Sequence, residues 1–190
     1  MQISQTETDS AGDMHGGLPS ISDVPIILDA AIGQIEWSRR YSLELLAATP
    51  LDRWFDIPTG HVSHIAWQVG HMAVSQYGLL MFRIRGRQPE DLELIPGRFR
   101  KTYGRGGSPP ASPEGQPTAD ELLEKLHQVH QCAMSEIKSV DPAVLLEPVD
   151  MPYAVHACKL GAILFAPMHE SLHAGQIGVL RRGLGLDPVR

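Results

Sequence analysis

Cysteine is scarce in this 190-residue chain: there are two, Cys132 and Cys158, and neither belongs to a C-x-x-C pair. That argues against a metal site built from sulfur alone and suits reduced thiols in the cytoplasm. Aromatic residues make up only 6%, few for the stacking platforms that hold single-stranded nucleic acid. Positive charge is in deficit, with a formal net charge of −6, whereas a phosphate-binding surface needs an excess of clustered Lys and Arg. No nucleic-acid partner is expected. No run approaches the ~18 uninterrupted apolar residues of a membrane span, so no membrane partner is expected either. The N-terminal MQISQTETDSAGDMHGGLPS lacks the apolar core of a secretory leader.

What is present is ordinary globular composition, 43% hydrophobic and 20% charged, in a length that suits one domain with a tail. Residues 1–20 are polar and cannot bury enough apolar surface to offset ordering, which predicts a disordered tail ahead of a domain over 21–190. Ser22 or Asp23 is placed to cap a first helix, with Pro25 in its first turn and Thr49-Pro50 at its end. A second helix is expected over about 61–85, closed by Gly86. Residues 87–117 are dense in proline and glycine, as in PGRF, GRGGSPP and SPEGQP, and read as a crossover connection or a flap. Thr118 and Glu121 form a T-x-x-E capping box that starts a third helix, running to about Val140. The connection after it has room for a short extended piece. A fourth helix spans about Leu160 to Arg182, with Pro167 inside it, where a kink or irregular turn is expected. Four long helices and no alternating strand pattern give an all-α fold, a four-helix bundle with a long crossover between helices 2 and 3.

Histidine is the residue in excess, with nine copies. In His169-Glu170-Ser171-Leu172-His173 two imidazoles stand at i and i+4, on one helix face with Cβ atoms about 6 Å apart. That spacing lets both reach one ion. The surrounding Phe165, Met168, Leu172, Ile177 and Leu180 make the helix substantially apolar, and buried imidazoles need partners. A third ligand must come from elsewhere. His71, mid-helix among Ala66, Val69, Ala73 and Val74, is the candidate. His64 lies seven residues earlier and so about 10 Å away along the axis, too far to share the ion. His64, Gln68 and Gln176 are candidates to support the ligands from outside. His15, His127, His130 and His156 carry bland readings as tail, solvated-helix or connection residues. HESLH also matches the H-E-x-x-H of zinc proteases, in which the glutamate is the general base. AGQIGVLRRGLGLDPVR, however, supplies no His or Glu as a downstream third ligand. Glu170 remains a candidate base toward a metal-bound water, or a residue that orients a neighbour. The basic cluster Arg83, Arg85, Arg87, Arg98, Arg100, Lys101 and Arg105 reads as a solvated helix end and loop, with a small anionic-ligand patch as the alternative.

AWQVGHMA in the second helix, followed about a hundred residues later by MHESLHAGQIGVLRRGLGL, resembles the DinB-like metalloenzyme superfamily, from about residue 25 to the end. The resemblance implies a four-helix bundle with a long second crossover and a metal site on His71, His169 and His173. It implies zinc or nickel as the divalent ion, a low-molecular-weight thiol such as mycothiol or bacillithiol as cosubstrate, and a homodimer. Pro167 and the proline-rich crossover depart from the simplest pattern of that family. The expected function is a metal-dependent thiol S-transferase or related hydrolase acting on a small molecule. The alternative is a non-catalytic metal- or ligand-binding bundle of the stress-response type.

Overall fold

The structure, a computed structural model, describes residues 17–189. The expected tail therefore lies, for residues 1–16, outside the described residues, and residues 17–20 carry no regular structure. Among the described residues the chain is all-helical, with no strand.

Helix α1 (Val24–Ala47) turns a stripe of Ala31, Ile35, Ser38, Ser42, Leu45 and Leu46 into the core, with Pro25 in the first turn where no donor is needed. Asp23 occupies the N-cap position but makes no side-chain cap, because its carboxylate accepts from Ser20 Oγ at 2.6 Å. At the other end, the carbonyls left over in the last turn of α1 are satisfied from a different helix. The buried Arg181 guanidinium donates to the Leu45 and Ala48 carbonyls and to Thr49 Oγ1.

Helix α2 (Ile65–Tyr77) starts four residues later than the expected His61, because His64 is its cap. It continues through a π turn (Gly78–Phe82) and a last α turn (Arg83–Arg85) to Gly86, whose φ of +77° favours glycine. The crossover is partly ordered into α3 (Asp91–Leu94) and α4 (Gly97–Tyr103). Helix α5 (Ala119–Ile137) opens with the expected capping box and stops three residues short of Val140. A short α6 (Pro142–Leu145), capped by Asp141, and an isolated bridge between Pro148 and Cys158 fill the next connection; the bridge is the extended piece anticipated there. Helix α7 (Lys159–Gly183) runs unbroken through Pro167, so the irregular turn expected there does not form.

Helix α1 packs along α7, while α2 packs against α5 and α7 and receives α4 on its outer side. The core between them is built from Ile35, Ile65, Met72, Leu122, Leu126, Ile163 and Ile177. No helix among the described residues is long and apolar enough to cross a membrane.

One polar knot fixes the start of the crossover. Arg85 forks onto Asp91 at 2.8 and 2.9 Å and onto Glu136 of α5 at 2.6 and 3.0 Å, and Asp91 also accepts from Tyr77 Oη and the Gln88 amide. The Arg85 hydrogen bonds hold the Asp91 carboxyl down at about 2, below its ordinary 3.8. A depressed carboxylate pKa contributes stability that is complete above the unfolded pKa and lost as pH falls through the folded one. Acid titration of unfolding stability should therefore show a loss between pH ~4 and ~2, on the order of 2 kcal/mol from this group. Asp91→Asn should start less stable at neutral pH and show less of that loss.

Candidate metal centre

Three imidazoles meet where α2 faces α7. His71 comes from the middle of α2, and His169 and His173 stand one turn apart on α7. One ring nitrogen of each lies within 4.8 Å of those of the other two, and ring centroids are 4.5–5.3 Å apart. Nitrogens around one tetrahedral ion at 2.0–2.1 Å stand roughly 3.4 Å apart. Small ring rotations would bring all three onto a single divalent ion.

Two of the rings are oriented for that task by hydrogen bonds on their far sides. His71 Nδ1–H donates to the Tyr103 carbonyl at 2.7 Å, which leaves the lone pair on Nε2, where it accepts from Ser75 Oγ at 3.2 Å. His173 Nδ1–H donates to Gln68 Oε1 at 2.6 Å, and Gln68 Nε2 in turn donates to Ser63 Oγ at 2.9 Å. A carbonyl or amide oxygen on one ring nitrogen, with the other nitrogen free, is the usual support of a metal-binding histidine. His169 packs beside Phe165, at 5.9 Å between centroids. Trp67 stacks flat on His71, 4.8 Å away with 9° between planes, and its indole N–H holds the Thr102 carbonyl at 3.2 Å. The last turn of α4 is thus caught at two successive carbonyls by two side chains of α2.

Gly70 makes this approach available. A Cβ there would collide with the Tyr103 ring, so only glycine lets α4 lie close enough for the Tyr103 carbonyl to reach His71. No local sequence signal singles out Gly70, because the helix around it is otherwise regular.

Burial sets the protonation of the cluster. Desolvation, and then the neighbouring imidazoles, pull His169 down to about 4 and His173 to about 3, with the Gln176 hydrogen bond to His173 opposing the shift. Desolvation lowers His71 as well, against the Tyr103 hydrogen bond. All three are therefore neutral at pH 7, the form in which imidazole binds a metal.

The other residues singled out from the sequence lie as follows. Gln68 and Gln176 both reach His173, while His64 does not bond to the three imidazoles. His64 is fully buried, accepts from the Trp67 amide through Nδ1, and so donates through Nε2 to the Pro110 carbonyl at 3.1 Å, pinning the far end of the crossover. His15 lies outside the described residues. Glu170 points away from solvent into an ion pair with Arg39, Nε to Oε1 at 2.7 Å and Nη2 to Oε2 at 3.0 Å, so both carboxylate oxygens are engaged. His130, read from the sequence as a solvated-helix residue, is half-buried and accepts from Gln76 Nε2 at 3.0 Å. Its pKa falls to about 4 through desolvation and then the charge of Arg39.

Arg39 is a further residue of the site, not among those that the sequence motifs single out. It donates to Glu170, to Gln76 Oε1 and to the Leu126 carbonyl, so one guanidinium joins α1, α2, α5 and α7 one residue from His169. The signal was available: a charged residue four after Ile35 and three before Ser42 falls on the buried stripe of α1. Arg39→Ala, which strands a buried carboxylate, should cost about 3–5 kcal/mol in chemical denaturation. The double variant Arg39→Met/Glu170→Met should lose distinctly less; equal losses would mean that the pair is not the source of the cost.

No curated protein matches the chain. The family model described as the DinB superfamily matches residues 34–177, a span that includes His71, His169 and His173. On that match, over well more than half its length, the chain belongs to the DinB superfamily.

Proposed function

We propose that the four long helices α1, α2, α5 and α7 act as one four-helix bundle whose purpose is to hold a single divalent ion, zinc or nickel, on His71, His169 and His173. We read the protein as a cytoplasmic metal-dependent thiol S-transferase or related hydrolase that uses a low-molecular-weight thiol on a small-molecule substrate. The observation that carries the metal reading is the convergence of three neutral imidazole nitrogens within 4.8 Å, two of them oriented by oxygen acceptors on the opposite ring nitrogen. A divalent ion on three imidazoles supplies Lewis acidity at an open position, lowering the pKa of a water or thiol that occupies it.

The chain's own residues do the rest by position. Tyr103 and Gln68 keep His71 and His173 in the tautomer that presents Nε2. Trp67 covers one face of His71 and excludes water from it. Ser75, beside His71 Nε2, offers a hydroxyl that can give or take a hydrogen bond with whatever occupies the centre. Glu170 serves through Arg39 to fix the orientation of α7 at His169, since both its oxygens are already committed.

Elemental analysis of the freshly purified protein tests the reading. About one equivalent of zinc or nickel is expected, lost in His169→Ala/His173→Ala, and Gln68→Ala should weaken metal affinity about 10–100-fold in a chelator competition. Absence of metal after reconstitution with several divalent ions would overturn it. Thiol S-transfer assays on the loaded protein then separate enzyme from metal-binding module: His71→Ala should abolish turnover in the first case and lower only thermal stability in the second.

We also propose that the protein works as a homodimer through the outer faces of α1 and α7. Both expose apolar side chains, Ile26 and Trp37 on one and Met168, Leu172 and Val179 on the other, on helices that pack against each other. Sedimentation should give twice the chain mass, and Trp37→Glu/Leu172→Glu should give the monomer. A monomeric parent at tens of micromolar would rule this out.

A further inference from the structure

Five of the seven basic residues between Arg83 and Arg105 are sorted by the fold into two groups. Arg85 is consumed by Asp91 and Glu136, and Arg98 reaches back to the Gly115 carbonyl. Arg83, Arg100 and Arg105, by contrast, line one cavity of about 410 Å3 together with Ser75, Tyr153, Phe165 and His169. None of these three makes an ion pair among the described residues, and no Asp or Glu lines the cavity. Unpaired arginines are common in this chain; what sets these three apart is that they share one cavity with no carboxylate in its lining.

Two of the three arginines, Arg83 and Arg105, have contacts that place them. Arg83 Nη1 donates at 3.0 Å to the Gly78 carbonyl, which also accepts the Arg83 backbone N–H that closes the π turn. Gly78 has no Cβ, and one built there would sit 3.4 Å from that guanidinium nitrogen. Arg105 lies 5.9 Å over the Tyr153 ring, and Tyr153 packs against Phe165, which packs against His169. The volume falls in the range of small-molecule sites. The lining grades from a cationic side, through two aromatic rings, to the candidate metal ligand. π turns recur at functional sites because they re-aim the side chains around them.

We propose that this cavity is the substrate site and that it takes a small organic anion, its carboxylate or phosphonate held by Arg83, Arg100 and Arg105 and its body lying between Tyr153 and Phe165 toward His169. Guanidinium groups suit such oxyanions because their donors match them two at a time. The proposal rests on the metal reading for what happens at the His169 end, but not for the anion site itself.

Isothermal titration calorimetry with succinate, phosphonoacetate and the neutral succinamide, on metal-loaded and chelator-treated protein, tests it. Both anions should bind at least ten-fold tighter than succinamide in both forms of the protein. That preference should vanish in Arg100→Gln/Arg105→Gln and partly return in Arg100→Lys/Arg105→Lys. Arg100 and Arg105 are exposed, so the variants should keep the parent's melting temperature. Mercaptosuccinate identifies the source of the acid group: a gain over succinate only when metal is present assigns it to the thiol cosubstrate, and no gain assigns it to the electrophile. Equal affinity for succinate and succinamide, no binding of any probe, or a preference that survives in the glutamine variant would overturn the proposal. Metal content measured on the same samples reports separately on the metal reading, which stands or falls without it.

Discussion

Two histidines on α7 and one on α2 can share an ion only if those helices keep their relative rotation to within a fraction of an ångström at the rings. The Arg39 guanidinium supplies that constraint. It is nearly inaccessible to solvent, and its donors are spent on Glu170 of α7, Gln76 of α2 and a carbonyl of α5. A charge buried this way is costly unless every donor is matched, so helix positions that fail to match it are disfavoured. Glu170 follows His169 in the chain, and Gln76 lies little more than a turn beyond His71. The same contact therefore sets both sides of the histidine cluster. The glutamate of the H-E-x-x-H string has its place in this protein as the partner of Arg39.

The crossover belongs to the centre as much as the long helices do. Its last helical turn gives the Thr102 and Tyr103 carbonyls to Trp67 and His71, its later part gives the Pro110 carbonyl to His64, and its beginning is knotted to α5 through Arg85, Asp91 and Glu136. Each anchor is a backbone carbonyl or a bidentate ion pair, so a segment rich in proline and glycine is held without needing a continuous helix. Gly70 acts as a recess in α2 where the Tyr103 ring settles.

Much of this was legible beforehand where the signal is local. The Thr118–Glu121 capping box and the limits of α7 depend on neighbours a few residues apart and match the structure, and the i, i+4 spacing of His169 and His173 does put both on α7 one turn apart. His71 was legible as a third partner because a polar residue on an apolar helix stripe requires one. The start of α2 was misjudged because His64, seen as an early helical residue, spends its ring nitrogen on the Trp67 amide as a cap. Pro167 was expected to disturb α7, yet the helix continues through it, since packing on both sides outweighs one missing hydrogen bond. The environment of His130 was misread because its partner, Gln76, is 54 residues away in sequence.

By itself the sequence determined the helical class, the resemblance to a metalloenzyme family and the three imidazoles able to meet, because periodicity, caps and an i, i+4 spacing are properties of short stretches of backbone. Only the tertiary structure decided which nitrogen each imidazole turns inward, that Glu170 answers to Arg39, and which arginines of the basic cluster remain unpaired around a cavity. Those outcomes depend on burial and on partners remote in the chain, and the free energy of a buried charge or lone pair is set by what surrounds it rather than by what precedes it.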